Sequence, residues 1–230
     1  MADQIKHTRV PLDEMVDKIT KRFGPDVVFF DSETTTAKRH QLRATVIVAF
    51  SCRTKAFHSY DLIEGEGVMG LFAELLDSAS KIVVHNKYFD INSVLGAYFS
   101  EERVKEWDEK VLDLFEVIRT SEGSWIGINS LCTIAGLSQK TADGAGAILM
   151  WNEGEFKKLR DYCAVDVLML LELFAQDKVY FCCKRKDFNQ DAHIVIGTGC
   201  IDMDSMQVSY THDSTVYPPG FNKHTLPACV

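Results

Sequence analysis

The sequence lacks the features that define several classes of protein. No uninterrupted apolar run approaches the roughly 20 residues of a membrane-spanning helix, and the first ten residues contain no apolar stretch suited to export. Internal repeats and low-complexity tracts are absent. The seven cysteines are odd in number and scattered, which favours free thiols over a disulfide framework. We therefore expect an intracellular protein, in the cytoplasm or nucleus, in a reducing compartment and without a membrane partner.

Ligand spacings typical of zinc sites are also missing. Cysteine and histidine do gather late in the chain, but no Cys-x-x-Cys or His-x-x-x-His pair occurs among them. We interpret these cysteines as loose thiols and predict no zinc site from this group, which comprises Cys182, Cys183, His193, Cys200 and His212.

Positive charge is scarce as well. The 230 residues include 25 lysines and arginines against 33 aspartates and glutamates, which gives a formal charge of −8. A protein that holds a long duplex non-specifically normally needs a basic face with many phosphate contacts. The sequence excludes that mode, so any nucleic acid would be held over few nucleotides, near a basic segment that contains Lys38, Arg39, His40 and Arg43.

What the sequence does contain is enough apolar material, 46% of residues, for one sizeable core. Three β segments come first, and further strands then alternate with helices. This order predicts an α/β fold whose mixed sheet is an antiparallel meander followed by parallel strands, flanked by helices. We expect strands at 27–31, 44–51, 55–60, 81–85 and 110–113. We expect helices at 68–78, 89–99, 113–119 and 129–135, and a long helix that is capped by Asn152 and runs to about Gln176.

The chain divides into three parts on this interpretation. Residues 1–25 form an N-terminal extension, 26–180 the main domain, and 187–230 an acidic appendage of unknown role. Within the appendage, the apolar segment 193–197 could form a hairpin with 206–210. We interpret this C-terminal segment as a candidate binding site for a protein partner.

Two acidic residues follow the first apolar strand directly. Asp31 and Glu33 are separated by one residue, so both carboxylates point to the same face of a strand. A lone pair of this kind is more often a solvated turn. Here an apolar run leads straight into it, which places the pair at the end of a strand where α/β sheets bind ligands, and paired carboxylates withdrawn from water favour a bound cation.

Further polar residues come at two later points. Another apolar strand leads to Asn86 and to Asp90 in the first turn of a helix, where turn and helix-dipole effects are alternative explanations. Tyr162 and Asp166 are four residues apart and therefore neighbours on one helix face. Packing is one explanation for the tyrosine, but an unpartnered carboxylate beside the apolar run VLMLL would be costly unless a metal ion neutralised it.

Together these segments carry a family resemblance. The sequences DSET at 31–34, HNKYFD at 85–90 and YCAVD at 162–166 resemble, in order and context, the three motifs of the DEDDy branch of ribonuclease H-like 3′-to-5′ exonucleases. The similarity covers about residues 26–178. Tyr162 lies four residues before Asp166, as in the tyrosine branch. The resemblance implies hydrolysis of single-stranded or frayed DNA or RNA from the 3′ end, with release of nucleoside 5′-monophosphates.

The resemblance also implies a role for each residue. Four carboxylates would hold two Mg²⁺ or Mn²⁺ ions: Asp31 would bridge both, Glu33 and Asp166 would complete the first, and Asp90 would support the second. Tyr162 would steer the attacking water rather than take its proton, because a phenol with a pKa of about 10 is a poor base at neutral pH. Candidate substrate-binding residues are Thr34, Asn86, Lys38 and Arg39.

Two other functions are consistent with the same sequence. One is a ribonuclease H-like module that has kept the fold but only binds protein or RNA. The other is a proofreading module that serves a polymerase on a separate chain. The four intact acids argue against the first, and the lack of a polymerase domain makes the second less favourable.

Overall fold

In the computed structural model, residues 10–36, 42–122, 126–140, 144–186 and 194–211 are described. Their strands form two sheets. The larger contains β1 (Val27–Thr34), β2 (Ala44–Ser51), β3 (Ala56–Asp61), β4 (Lys81–Val84) and β5 (Val111–Asp113), in the spatial order β3-β2-β1-β4-β5. The first three strands are antiparallel, whereas β4 and β5 run parallel to β1. The predicted mixed sheet is therefore confirmed.

Helices cover both faces of this sheet. They are α1 (Leu12–Phe23), α2 (Val68–Ser78), a π-helix (Tyr88–Val94) continued by a 3₁₀ turn (Leu95–Ala97), α3 (Glu101–Asp108), α4 (Leu114–Glu122), α5 (Ile128–Ala135), α6 (Gly144–Asn152) and α7 (Phe156–Phe174). No helix of the described residues is long and apolar enough to cross a membrane.

Side chains alternate across β1, and each face belongs to a different core. Val27 and Phe29 face a core that includes α1, α4, α5 and α7. Val28 and Phe30 face a second core with α2, the π-helix and α3. Because the face that bears Val27 and Phe29 continues through odd-numbered positions, it directs Asp31 and Glu33 toward α7.

The second sheet contains β6 (Lys178–Lys186), β7 (Ile194–Asp202) and β8 (Gln207–Thr211) in antiparallel order. A hairpin does form in the appendage, but the predicted pairing of 193–197 with 206–210 was wrong: β8 pairs with Thr198–Asp202 of β7, whereas residues 194–197 pair with β6. Strand β6, which the sequence pattern did not predict, joins this hairpin directly after α7. Val179, Phe181 and Ile201 from the sheet lie in the core beneath α7.

The boundaries of α7 differ from those predicted. Asn152 ends α6 rather than capping the long helix, and α7 begins only at Phe156. The break lies at Gly154, whose φ of 73° is a left-handed conformation that glycine adopts readily. The helix then runs to Phe174, so the prediction of one long helix after residue 152 was wrong only in its start and its last two residues.

Candidate active site

Asp31 and Glu33 lie within β1 rather than after it, because pairing with β2 continues through Thr34. Their carboxylate oxygens and the sulfur of Cys163 all lie within 4.8 Å of one another. The Cys163 thiol, on the face of α7 that packs against the sheet, donates to the backbone oxygen of Asp31 (3.3 Å) and is 3.6 Å from its Oδ2. Helix α7 thus meets β1 at the acidic pair.

Asp90 reaches this region from the π-helix that follows β4. It is buried, and the Ser32 hydroxyl donates to its Oδ1 over 2.5 Å. Ser32 lies between the two acidic residues of β1, so this bond attaches the π-helix to the strand at the acidic pair. Sequence reasoning missed Ser32, although its position inside the DSET motif was visible.

Tyr162 and Asp166 are both buried on α7. Four residues separate them, so they share one side of the helix, and Cys163 between them faces the sheet. Asp166 Oδ2 accepts a hydrogen bond, whereas among the described residues Asp166 Oδ1 is buried without a partner. Since a buried carboxylate oxygen without a partner is unfavourable, this atom is suited to coordinate a cation.

Burial raises the pKa of all four acids, and the charge of Asp166 adds to the rise at Asp31, Glu33 and Asp90. Burial, followed by the charges of Asp166, Asp90 and Glu33, raises the pKa of Asp31 well above its usual value. Burial and the charge of Asp166 raise the pKa of Glu33 to about 8, and burial raises the pKa of Asp90 to about 7. Burial also raises the pKa of Asp166. These residues therefore form one interacting group, as expected for carboxylates that share a site.

Lys140 is a second residue beside the acidic group that sequence reasoning missed. Its Nζ lies 3.2 Å from Asp166 Oδ2 and 5.7 Å from the centre of the Tyr162 ring. Burial lowers the pKa of Lys140, but the charges of Asp166, Tyr162 and Asp31 and the hydrogen bond to Asp166 together more than offset this, so the net direction is upward and the ammonium group stays charged. The acidic cluster thus contains a cation supplied by the chain itself.

Three hydrogen bonds fix the segment that carries Lys140. The backbone N–H of Lys140 donates to Asn129 Oδ1 on α5 (3.1 Å). Two residues earlier, the N–H and hydroxyl of Ser138 donate to the two carboxylate oxygens of Glu172 on α7, at 2.8 and 2.9 Å. The position of the ammonium group is therefore held from both helices.

The remaining predicted residues are less closely tied to the cluster. Thr34 is buried, and its hydroxyl donates to the Thr36 carbonyl at 3.0 Å. Asn86 lies in the turn after β4 with a φ of 85°, and its role as a substrate ligand stays a prediction. Lys38 and Arg39 lie outside the described residues, as do His193 and His212 of the cysteine and histidine group.

Comparison with protein families now places the chain. Residues 75–192, just over half of the sequence, match the model of a family described as a predicted 3′-5′ exonuclease related to the exonuclease domain of PolB. The chain belongs to this family. The exonuclease family match includes Asp90, Lys140, Tyr162 and Asp166, whereas Asp31 and Glu33 precede the matched segment and are joined to it by the fold.

Other comparisons add little to this exonuclease assignment. The EXO domain of Nibbler from Aedes aegypti is a similar solved structure, with 12% identity and a TM-score of 0.35 over 70% of this chain and 82% of that chain. Proteins of curated function give no match. The protein is thus a member of a predicted 3′-5′ exonuclease family, with a mixed α/β sheet and an acidic cluster between β1 and α7.

Proposed function

We propose that this protein is a metal-dependent 3′-to-5′ exonuclease of the DEDDy type, which hydrolyses phosphodiester bonds at single-stranded or frayed 3′ ends. The observation that carries the proposal is the group of four interacting acids, with Tyr162 on the same side of α7 as Asp166. The family match supports the class of reaction.

The donor set fits hard divalent cations. Carboxylate oxygens are the ligands that Mg²⁺ and Mn²⁺ prefer, and Asp166 offers a buried oxygen that no described residue satisfies. Asp31, Glu33, Asp90 and Asp166 would hold two ions. When bound, such ions generate a nucleophilic water at neutral pH and stabilise the charge that develops at phosphorus.

Cys163 favours the same class of metal. A thiol so near two carboxylates could serve as a soft ligand for zinc, but only as a thiolate. Burial, followed by the charge of Asp31, raises the pKa of Cys163 well above its usual value. In the metal-free protein the thiol is therefore protonated and donates a hydrogen bond to the backbone oxygen of Asp31, while the carboxylates offer an all-oxygen ligand set.

Tyr162 is suited to orient water rather than to accept its proton. Burial and the charge of Asp166 raise the pKa of Tyr162, so the phenol is protonated at neutral pH. A protonated hydroxyl can still accept a hydrogen bond from water and hold it in line with the bond to be broken. We assign this positioning role to Tyr162.

Lys140 completes the charge balance of the site. Two divalent cations neutralise four ionised carboxylates, so the ammonium group leaves the loaded site with one positive charge. That charge is opposite to the single negative charge of a phosphodiester. Lys140 therefore favours binding of the scissile phosphate beside Asp166 and Tyr162.

Single-stranded 3′ ends fit the overall charge of the protein. At −8 the chain is not suited to hold a duplex over many phosphates, whereas a short single strand needs few contacts. Arg43, at the start of β2, is exposed and available for such a contact. Contributions from Lys38 and Arg39, and a protein partner at the C-terminal segment, belong to this proposal.

The test is an assay with 5′-labelled single- and double-stranded DNA and RNA in millimolar Mn²⁺. The wild type should produce a ladder from single strands and little from blunt duplexes, and Asp31→Asn or Asp166→Asn should abolish it. The matched control is Asp161→Asn, on α7 and paired with Lys157, which should cleave normally. Folded wild-type protein that cleaves none of the substrates would overturn the proposal and favour a binding module.

A further inference from the structure

The turn between β4 and the π-helix is strained. Asn86 has a φ of 85°, a left-handed conformation that is less favourable for asparagine than for glycine. Its backbone oxygen accepts the N–H groups of Phe89 (2.8 Å) and Asp90 (3.3 Å), which begins the helix. The conformation of Asn86 therefore decides where the π-helix starts and where Asp90 lies.

One buried carboxylate holds this turn. Asp113 ends β5, directly opposite Val84, the last residue of β4. Its Oδ1 accepts the N–H of Asn86 at 3.1 Å, and its Oδ2 accepts the N–H of Lys87 at 2.9 Å. Oδ1 also accepts the N–H of Phe115 at 2.9 Å, which attaches the turn to the start of α4.

A chain of contacts thus links Asp113 to the acidic cluster. Asp113 fixes Asn86, Asn86 fixes the N–H of Asp90, and the carboxylate of Asp90 meets the Ser32 hydroxyl on β1. Asp90 is therefore held at its backbone from the β5 side and at its carboxylate from the β1 side. Asp113 itself does not belong to the cluster of proposed ligands.

We propose that Asp113 is a positioning residue that sets the metal affinity of the site by holding the Asn86 turn and, through it, Asp90. This inference rests on the proposed function. A carboxylate suits this role because its two oxygens accept all three backbone N–H groups. An asparagine has only one side-chain oxygen, and its NH₂ group would face a backbone N–H, so that two donors would meet. Residues that orient metal ligands commonly change affinity by about 10- to 100-fold when replaced.

The variant that tests this is Asp113→Asn, which keeps the size of the side chain and the bonds to Oδ1 but loses the bond from Lys87. The matched control is Asp108→Asn. Asp108 accepts a hydrogen bond from the same residue, but from Lys87 Nζ at 3.2 Å rather than from its backbone. The control removes one carboxylate charge beside Lys87 while leaving the turn intact.

Three measurements follow: Mn²⁺ affinity by calorimetry without substrate, amide hydrogen exchange of the metal-free protein, and exonuclease rate against Mn²⁺ concentration. In Asp113→Asn we expect affinity to fall about tenfold or more and the Lys87 amide to exchange at least tenfold faster, with α7 amides unchanged. The rate should return to near the wild-type value at saturating Mn²⁺. Asp108→Asn should match the wild type throughout.

A second substitution separates the turn from the rest of the fold. Glycine adopts a φ of 85° without strain, so Asn86→Gly in the Asp113→Asn background should restore Mn²⁺ affinity to within about threefold of the wild type. No recovery, or an unchanged affinity in Asp113→Asn alone, would overturn the inference while wild-type activity upholds the proposed function. Wild-type protein that neither binds Mn²⁺ nor cleaves would overturn both.

Discussion

At the scale of single residues, the acidic positions could be read from the sequence but Lys140 could not. Asp31, Glu33, Asp90 and Asp166 each end or follow an apolar segment, a local pattern that is visible without a structure. Lys140 lies in a polar segment between two helices and meets a residue 26 positions away. Nothing in its neighbours along the chain distinguishes it from a solvated lysine.

Replacement of Tyr162 by phenylalanine tests the role of its hydroxyl. The ring and its packing on α7 remain, while the group that would position water is lost. We expect the exonuclease rate to fall by about 10²- to 10³-fold, comparable to the loss of other preorganised hydrogen bonds in active sites, with little change in Mn²⁺ affinity.

The comparison should be made at saturating Mn²⁺ with single-turnover kinetics, so that binding and chemistry are separated. Tyr60→Phe, which removes a hydroxyl from a residue of β3 outside the site, is the matched control. A rate equal to that of the wild type would make Tyr162 a packing residue.

At the scale of secondary structure, Arg22 links the end of one helix to the end of another. From α1, its Nη1 donates to the carbonyl oxygens of Phe174 (2.9 Å) and Gln176 (2.8 Å), where α7 ends. Its guanidinium also pairs with Asp177 and with Asp204 between β7 and β8. Cations at a helix C-terminus are favoured by the helix dipole and satisfy its last carbonyls.

We expect Arg22→Ala to destabilise the protein by about 2 kcal/mol, because the hydrogen bonds from the charged guanidinium are lost and the two carbonyl oxygens at the end of α7 lose this donor. This corresponds to a melting temperature lower by roughly 4–8 °C for a chain of this size. The check is thermal unfolding beside Lys21→Ala, an exposed residue of the same helix. Equal melting temperatures for the two variants would contradict the assignment.

The elements that were predicted and those that were missed differ in their patterns. Apolar strands such as Val27–Thr34, and a long helix with apolar residues every three or four positions such as α7, can be recognised from the sequence alone. Helix α3 is mostly charged, and α6 is apolar all round with two glycines, so neither shows an amphipathic pattern. Strand β6 carries two lysines and an arginine at its end, and only its pairing with β7 makes it a strand.

The position of α1 also depends on tertiary contacts. Its buried residues are Met15, Val16 and Ile19, a narrow stripe on a strongly charged helix. From the sequence these residues were assigned to an N-terminal extension, since they lie outside the family resemblance. In the fold they join the core beneath α7, and the division of the chain into 1–25, 26–180 and 187–230 stays a prediction.

At the scale of the whole molecule, the acidic cluster couples stability to pH. The folded pKa values of Glu33 (about 8) and Asp90 (about 7) exceed their unfolded values, so the folded state binds more protons near neutrality. Stability is then lost as pH rises through these folded values. Between pH 7 and 8 the metal-free protein should lose on the order of 1 kcal/mol.

The measurement is a series of melts in EDTA and in millimolar MnCl₂. His85 does not contribute to the pH dependence of stability between pH 7 and 8, because burial lowers its pKa to about 4 and its charge changes only at lower pH. Mn²⁺ should raise the melting temperature and remove the loss of stability between pH 7 and 8. The expected stabilisation is about 2.7 kcal/mol at an Mn²⁺ concentration one hundred times the dissociation constant. Asp31→Asn should melt above the wild type in EDTA and respond less to Mn²⁺.

Melts that are identical in the two buffers would remove the metal site from consideration. A metal-free wild type that becomes more stable between pH 7 and 8 would contradict the repulsion argued for the four acids. Asp161→Asn, which leaves the cluster intact, should follow the wild type in both buffers and at each pH.

The distance along the chain between β1 and α7 has a consequence for biosynthesis. Asp31 and Asp166 are 135 residues apart, and the strand that carries the first is covered by the helix that carries the second. At translation rates of about 5–20 residues per second, roughly 7–27 s separate their emergence from the ribosome. A nascent chain cannot bring the two carboxylates together in that interval, so the acidic cluster forms only after α7 has been synthesised.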